Sequence, residues 1–388
     1  MLHTLAIGNY RSLLNLVIPL ERLNVVTGAN GCGKSNLYRA LRLLAETAQG
    51  GVVNALAKEG GLQSSFWAGP EKISERMKRG EVPVQGTVKT ETQRLRLGFS
   101  SDDFGYSISL GLPPPPSGSF GLDPEIKREA IWAGEFYKPA SCLVDRKGIV
   151  TKIKNGRTWD VQDVGVEHFD SVLSELPDPT KPPDIFGVRE RIKSWRFYDH
   201  FRTDHESLIR QAQIGTRTPV LSHDGRDLAA AIQTIYEIGN QDAFQQAIED
   251  AFPGASVRIR ISDETRFSVE FKQYGLLRPL SGAELSDGTL RYLLLVAALL
   301  TPRPPSLMVL NEPETSLHPQ LLPALAKLII RASENSQMWI VSHSDILVSE
   351  LKKHKSTNLI ELEKSFGQTE ILGQRLLDTP PWYWPDKK

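Results

Sequence analysis

The chain has 388 residues, enough for one large domain or two of ordinary size around a continuous apolar core. Lysine plus arginine equals aspartate plus glutamate at 46 each, so the net charge points to neither a nucleic acid nor a membrane surface, and any such partner would need a local patch. Two cysteines, Cys32 and Cys142, exclude a disulfide framework, and no close Cys/His cluster suggests zinc. With no run of about 20 uninterrupted apolar residues, the expectation is a soluble, unprocessed cytoplasmic protein without a membrane partner.

In chain order, Leu2 to Ile7, Leu14 to Ile18 and Leu23 to Thr27 read as short strands separated by turn residues. A helix is predicted over Ser35 to Glu46, where Leu37, Ala40, Leu41 and Leu44 recur at helical spacing. Between Val82 and Leu112 the text alternates, which suits antiparallel strands exposed on one side, and Pro113 to Pro116 closes that lobe. A second proline cluster, Pro177, Pro179, Pro182 and Pro183, marks another joint. Trp195, Phe197, Tyr198 and Phe201, beside Arg196, His200 and Arg202, read as core packing, with base stacking as the alternative.

Arg226 to Phe252 is predicted to be a helical subdomain with Leu228, Ala231, Ile232, Ile235 and Ile238 on one side. The arginines of the V-R-I-R-I strand, Val257 to Ile261, fall on a solvated face. The last third alternates: helix Thr289 to Leu300, strand Leu307 to Leu310, helix Gln320 to Ser333, strand Met338 to Val341, helix Asp345 to Lys352. That order predicts parallel strands with helices on their faces.

Gly28-Ala29-Asn30-Gly31-Cys32-Gly33-Lys34-Ser35 matches G-x-x-x-x-G-K-[ST] between a predicted strand and a predicted helix. Glycines let the backbone curl so that several N–H groups face a polyphosphate, and the helix start adds its positive end. Asn30, Gly31, Gly33, Lys34, Ser35 and Asn36 are the expected nucleotide contacts. Lys34 reaches the outer phosphates, and the Ser35 hydroxyl ligates magnesium. Downstream, Glu312 ends an apolar strand at the edge where ligands of parallel sheets bind, placed to activate water. Asn311 stands where a magnesium-associated aspartate is expected, so the metal would lose an anionic neighbour. Leu285-Ser286-Asp287-Gly288-Thr289 precedes a very apolar helix as a helix cap.

The order of these motifs, followed by Ser316-Leu317-His318-Pro319 and Ser342-His343-Ser344, resembles an ABC-type ATPase. The opening I-G-N-Y-R-S-L with G-A-N-G-C-G-K-S-N resembles the RecF/SMC/OLD branch. The resemblance covers the first fifty or so residues and roughly Leu280 to Leu347. It implies an α/β fold: an ABC-type P-loop NTPase head with a mixed, largely parallel sheet flanked by helices, an antiparallel β lobe and a helical subdomain. The chain is then a single head over 1–388, with an N-terminal lobe at 1–112, an insertion and helical subdomain at 113–275, and a C-terminal lobe at 276–388. No sustained heptads occur, so the long coiled-coil arm of an SMC protein is absent.

By the same resemblance, ATP and Mg2+ are the cofactors, and two heads form a homodimer sandwiching ATP. Ser286 and Gly288 of one copy contact the nucleotide held by Lys34 of the other, and Ser316 to Pro319 crosses between sites. His343 is the switch histidine, Arg11 a nucleotide contact, and Gln63, with Ser35 and Asn311, a metal ligand. The implied function is a hydrolysing switch coupled to DNA, as a repair or recombination clamp, or to a separate effector protein in phage defence or a toxin system. An ATP-sensing scaffold with little turnover and a transporter motor are the alternatives. The forty or so residues after Leu347 show no acidic metal cluster, so no nuclease is expected on this chain.

Overall fold

The computed structural model describes residues 1–70, 74–83, 92–115, 118–162, 165–176, 183–262, 265–375 and 378–385. Contacts divide the chain into two compact units, one of Met1–Glu21, Thr27–Ser194 and Ile360–Lys388, the other of Arg22–Val26 and Trp195–Leu359. Among the described residues, no helix is long and apolar enough to cross a membrane.

The first unit is built on an eight-stranded antiparallel sheet. Its order is Leu13–Pro19, Leu2–Tyr10, Leu95–Ser101, Phe104–Gly111, Glu125–Ala133, Cys142–Lys147, Val150–Asn155 and Thr158–Val161. The lobe boundary expected at 112 falls inside this sheet, because Glu125–Ala133 pairs antiparallel with Phe104–Gly111 and carries the ladder past the prolines. Of the expected alternating stretch, residues 84–91 lie outside the described residues, as do Pro116, Pro177, Pro179 and Pro182.

One expectation is corrected. Phe104–Gly111 is buried along its whole length instead of being exposed on one side. Tryptophans cover the second face: a Cβ on Gly105 would lie 2.1 Å from the Trp132 ring, and one on Gly98 2.6 Å from that of Trp382. Only glycine admits such close approach. Trp132, Trp382 and Trp384 then meet edge to face, with centroids 5.7 and 5.3 Å apart.

The same unit contains the helix Lys34–Thr47, whose Leu37, Ala40, Leu41 and Leu44 are fully buried as the periodicity required. It also encloses an ion pair, Arg146 with Glu129 at 3.3 Å, both completely inaccessible. Every lone pair and donor there is used. Glu129 accepts from Tyr106, Ser171 and the Val172 amide, and Arg146 donates to the carbonyls of Gly148, Val166, Glu167 and Asp170.

In the second unit, Arg196–Tyr198, Leu307–Asn311, Gln337–Val341 and the Leu23–Val26 part of the strand Leu23–Gly28 form a parallel ladder. Helices Asp287–Leu299, Leu322–Ser333 and Asp345–Lys352 alternate with the strands as predicted. Apolar Leu307–Leu310 is buried, as a central strand requires.

The helical subdomain is two helices, Leu228–Ile238 and Gln241–Ala251, interrupted at Gly239. The Asn240 side chain caps the second by accepting from the Ala243 amide at 2.8 Å. Ile238, expected on the apolar side, ends its helix half exposed. Trp195, Phe197, Tyr198 and Phe201 are buried as core. Ser256–Ser262 pairs with Arg266–Lys272 and leaves Arg258 and Arg260 exposed.

Truncating one member of a saturated buried pair strands its partner's charge, which costs about 3–5 kcal/mol. Arg146→Ala is therefore expected to destabilise the protein by that amount in urea melts, whereas Arg202→Ala, at an exposed pair with Asp204, changes the stability only slightly.

Candidate nucleotide-binding site

The strand Leu23–Gly28 runs directly into the glycine loop. Gly28, Gly31 and Gly33 have φ of 136, 79 and 116°, in the region that side chains rarely adopt. Two of them also have no room for a side chain. A Cβ on Gly28 would lie 2.2 Å from the Leu362 carbonyl oxygen, and one on Gly33 2.1 Å from Thr369 Oγ1. Gly31 faces open space, and Asn30 beside it is exposed, so the loop has a packed wall and an open rim.

The Lys34 side chain folds into this loop. It is 5% exposed, and its Nζ donates to the carbonyls of Gly28 at 2.6 Å and Ala29 at 3.0 Å, with Cys32 Sγ at 3.8 Å. A buried ammonium matched only by neutral acceptors fits an anion. The helix start supports the same reading: it has no side-chain cap and no acidic residue in its first turn, so its amides and its positive end are unopposed. Ser35 is exposed there.

Not every expected contact points into the loop. Asn36 Nδ2 donates to Ser12 Oγ at 2.9 Å, and Ser12 in turn meets Thr369 Oγ1 at 2.7 Å, which reaches the Cys32 carbonyl at 2.7 Å. Asn36 thus braces the wall. Arg11, at φ 50°, brings its guanidinium to Glu59 at 3.1 Å, beside the Tyr10 hydroxyl at 2.6 Å from the same carboxylate oxygen. Burial and that carboxylate push the Tyr10 phenol well above its ordinary range. Gln63 stands exposed on the short helix Gly61–Ser65 and lines a cavity of about 740 Å³ with Phe66, Arg94, Pro113 and Lys127, none of them loop residues.

In the second unit, the strand Leu307–Asn311 ends at Glu312, whose amide donates to the Val341 carbonyl at 2.8 Å while its φ is 50°. That left-handed turn brings Glu312 Oε1 to 3.1 Å from His343 Nε2, with both side chains about 40% exposed. Glu314 serves differently. Its Oε1 accepts from Ser342 Oγ, the His343 amide and the Ser344 amide at 2.7, 2.7 and 3.1 Å, so it holds the turn before the helix Asp345–Lys352. His318 accepts from the Gln320 amide at 3.3 Å.

The L-S-D-G-T turn lies at the surface. Ser286 caps its helix through the Thr289 amide at 3.2 Å, and Ser286 and Asp287 are exposed. A Cβ on Gly288 would lie 2.9 Å from the Ser316 carbonyl oxygen. The turn is braced by Arg210, which no sequence motif singles out. Its guanidinium donates to the Leu285 carbonyl at 2.7 Å and to Asp287 at 2.6 Å. Arg291 was also missed, although it is the one charged residue between Thr289 and Leu300.

Among the described residues, no three His, Cys, Asp or Glu side chains are grouped to hold a metal. The expected donors Ser35, Asn311 and Gln63 are neutral oxygens, so they fit magnesium only as an ion whose anionic ligands come from phosphate.

The family matched, over residues 23–349, is described as "AAA domain, putative AbiEii toxin, Type IV TA system". No curated protein sequence matches the chain. Among solved structures, the chain is similar to an SMC head bound to the C-winged helix domain of ScpA, at TM-score 0.53 and 13% identity, over 97% of this chain and 98% of that one. It is also similar to the SMC head domain from Thermotoga maritima, at TM-score 0.48 and 13% identity over 97% and 99%. A third match is an SMC head with an extended coiled coil, bound to the C-terminal domain of ScpA derived from Pyrococcus furiosus, at TM-score 0.48 and 13% identity over 96% and 95%. The first likeness shows the fold: the α/β P-loop NTPase head anticipated from the motif order.

If Lys34 is the buried cation that polyphosphate neutralises, Lys34→Met loses nucleotide binding without losing stability. ATP at a hundredfold over its Kd is expected to stabilise the parent by about 2.7 kcal/mol, read as a rise in Tm. The variant shows no such rise, and its ligand-free Tm stays at or above the parent's because a buried charge is gone. An ATP-induced shift retained by the variant contradicts the assignment.

Proposed function

We infer the function from the premise that this chain belongs to that AAA domain family, a family of nucleotide-binding ATPase domains: it is an ATP-hydrolysing switch whose heads pair around ATP. The observation that carries this is the Lys34 ammonium, buried in a glycine loop and forming no ion pair among the described residues. Its natural complement is the polyphosphate that the motif order calls for.

On this reading, the glycine loop of the first unit is the nucleotide cradle, and the Glu312–His343 corner of the second carries the hydrolytic groups. Lys34 and the amides at the helix start bind the phosphates, and Glu312 orients a water and takes its proton. His343, whose Nε2 lies 3.1 Å from that carboxylate, holds it in place and meets the terminal phosphate. Bound magnesium would neutralise phosphate charge, with Ser35 and Asn311 as its oxygen neighbours. Glu314 is not the base, since its Oε1 already accepts three hydrogen bonds and its Oε2 is buried away from water.

The surface-exposed Ser286 and Asp287 supply the second half of the reading. In a homodimer, the Ser286–Gly288 turn of one copy contacts the nucleotide held by the other. ATP bound only by the closed pair then stabilises that pair by mass action. The family description favours a toxin-system role over a DNA clamp.

Glu312→Gln is expected to cut ATP turnover by about 100-fold or more while keeping ATP binding, so that light scattering finds a dimer with ATP and a monomer without it. A variant that binds ATP yet stays monomeric removes the composite site. Asn311→Asp returns a charge next to the metal and is expected to raise turnover about fivefold, the equivalent of roughly 1 kcal/mol for a charge pair in a watery site. Equal rates would mean that position 311 does not sense the metal.

A further inference from the structure

The helix Asp287–Leu299 is apolar along its buried length except at Arg291, whose side chain is only 2% exposed. Burying a guanidinium is costly unless an anion pairs with it. Among the described residues, Arg291 forms no ion pair. Its Nη1 stands 3.3 Å from His200 Nδ1, its Nη2 is 3.5 Å from the Glu312 carbonyl oxygen, and its buried Nε has no partner. Desolvation lowers its pKa, opposed by the charges of Glu314 and Glu312. Stability does not explain this residue, since a leucine would suit the same helix better.

Its neighbours do. The carbonyl it faces belongs to Glu312, whose backbone is held at φ 50°. Such a conformation strains a residue with a Cβ and persists only where surrounding contacts determine it. One turn earlier on the same helix face, Gly288 packs against the carbonyl of Ser316, the other left-handed residue of this loop at φ 63°. The helix that starts at the L-S-D-G-T turn therefore touches the 312–316 loop at both of its left-handed bends.

We propose that Arg291 is the positioning residue for Glu312: by holding the Glu312 carbonyl, it fixes the left-handed turn that aims the carboxylate at His343, and it ties that aim to the helix bearing Ser286. Any displacement of the Ser286 turn by a ligand or a second copy then moves Arg291 and re-aims Glu312. This deepens the ATPase reading and rests on it for its catalytic consequence, although the positioning itself does not.

Arg291→Met separates the two. Hydrogen–deuterium exchange of peptides spanning 311–317, measured without nucleotide, is expected to quicken at least fivefold in the variant. The ligand-free Tm is expected to stay at or above the parent's, ATP affinity to remain within twofold, and kcat to fall at least tenfold. Unchanged exchange in 311–317, or a kcat within twofold of the parent's, overturns the proposal. So does a loss of kcat matched by a loss of ATP affinity or of Tm, which would mark a structural role only. If the parent itself hydrolyses no ATP, the ATPase reading fails, and the exchange measurement alone decides the role of Arg291.

Discussion

A cation sealed into its own backbone loop is the constraint from which the first unit's local architecture follows. Lys34 is 5% exposed and donates to the carbonyls of Gly28 and Ala29, so the loop must curl tightly enough to offer them. That curl demands the left-handed glycines. The outer wall is fixed independently, by the chain of hydrogen bonds through Asn36, Ser12, Thr369 and the Cys32 carbonyl. A cradle already in this shape needs little ordering when an anion arrives, which leaves more of the contact energy for affinity.

The second unit solves a different problem, that of placing one carboxylate of two. Glu312 and Glu314 lie two residues apart after the same strand, yet the left-handed backbone at Glu312 turns it towards His343, while Glu314 commits its Oε1 to the Ser342–Ser344 turn. The loop is braced on one side by Glu314 and on the other by Gly288 and Arg291 of the neighbouring helix. Backbone strain of this kind needs such support from outside the loop.

What could be read from the amino-acid text is what local pattern determines. Asp345–Lys352 forms as predicted because Ser344 caps it and its apolar residues recur at helical spacing. The glycine loop was legible because its chemistry is written in consecutive residues. The sheet past residue 112 was not, since Phe104–Gly111 finds its partner beyond a proline-rich stretch and its covering tryptophans far along the chain. Side-chain direction was also hidden. Asn36 and Arg11 sit where the motif puts nucleotide contacts, but Ser12 and Glu59 claim them. Arg291 could have been flagged as the lone charge in an apolar helix, but nothing local reveals that His200 and Glu312 surround it.

Asn311 gives the proposed switch its character. An aspartate there would hold magnesium by charge, with or without nucleotide; an amide offers only a dipole, so the metal's anionic ligands must come from phosphate. Under the proposed function, magnesium affinity would be linked to nucleotide occupancy, and the ion would arrive and leave with ATP. On the proposed reading, the same loss of charge would slow hydrolysis, because the cation that neutralises phosphate charge would be held less firmly. For an enzyme that supplies a product, slowness is a defect. For a pair of heads closed by ATP, the rate of hydrolysis sets how long the closed state lasts, and a slow step gives an effector on another chain time to respond.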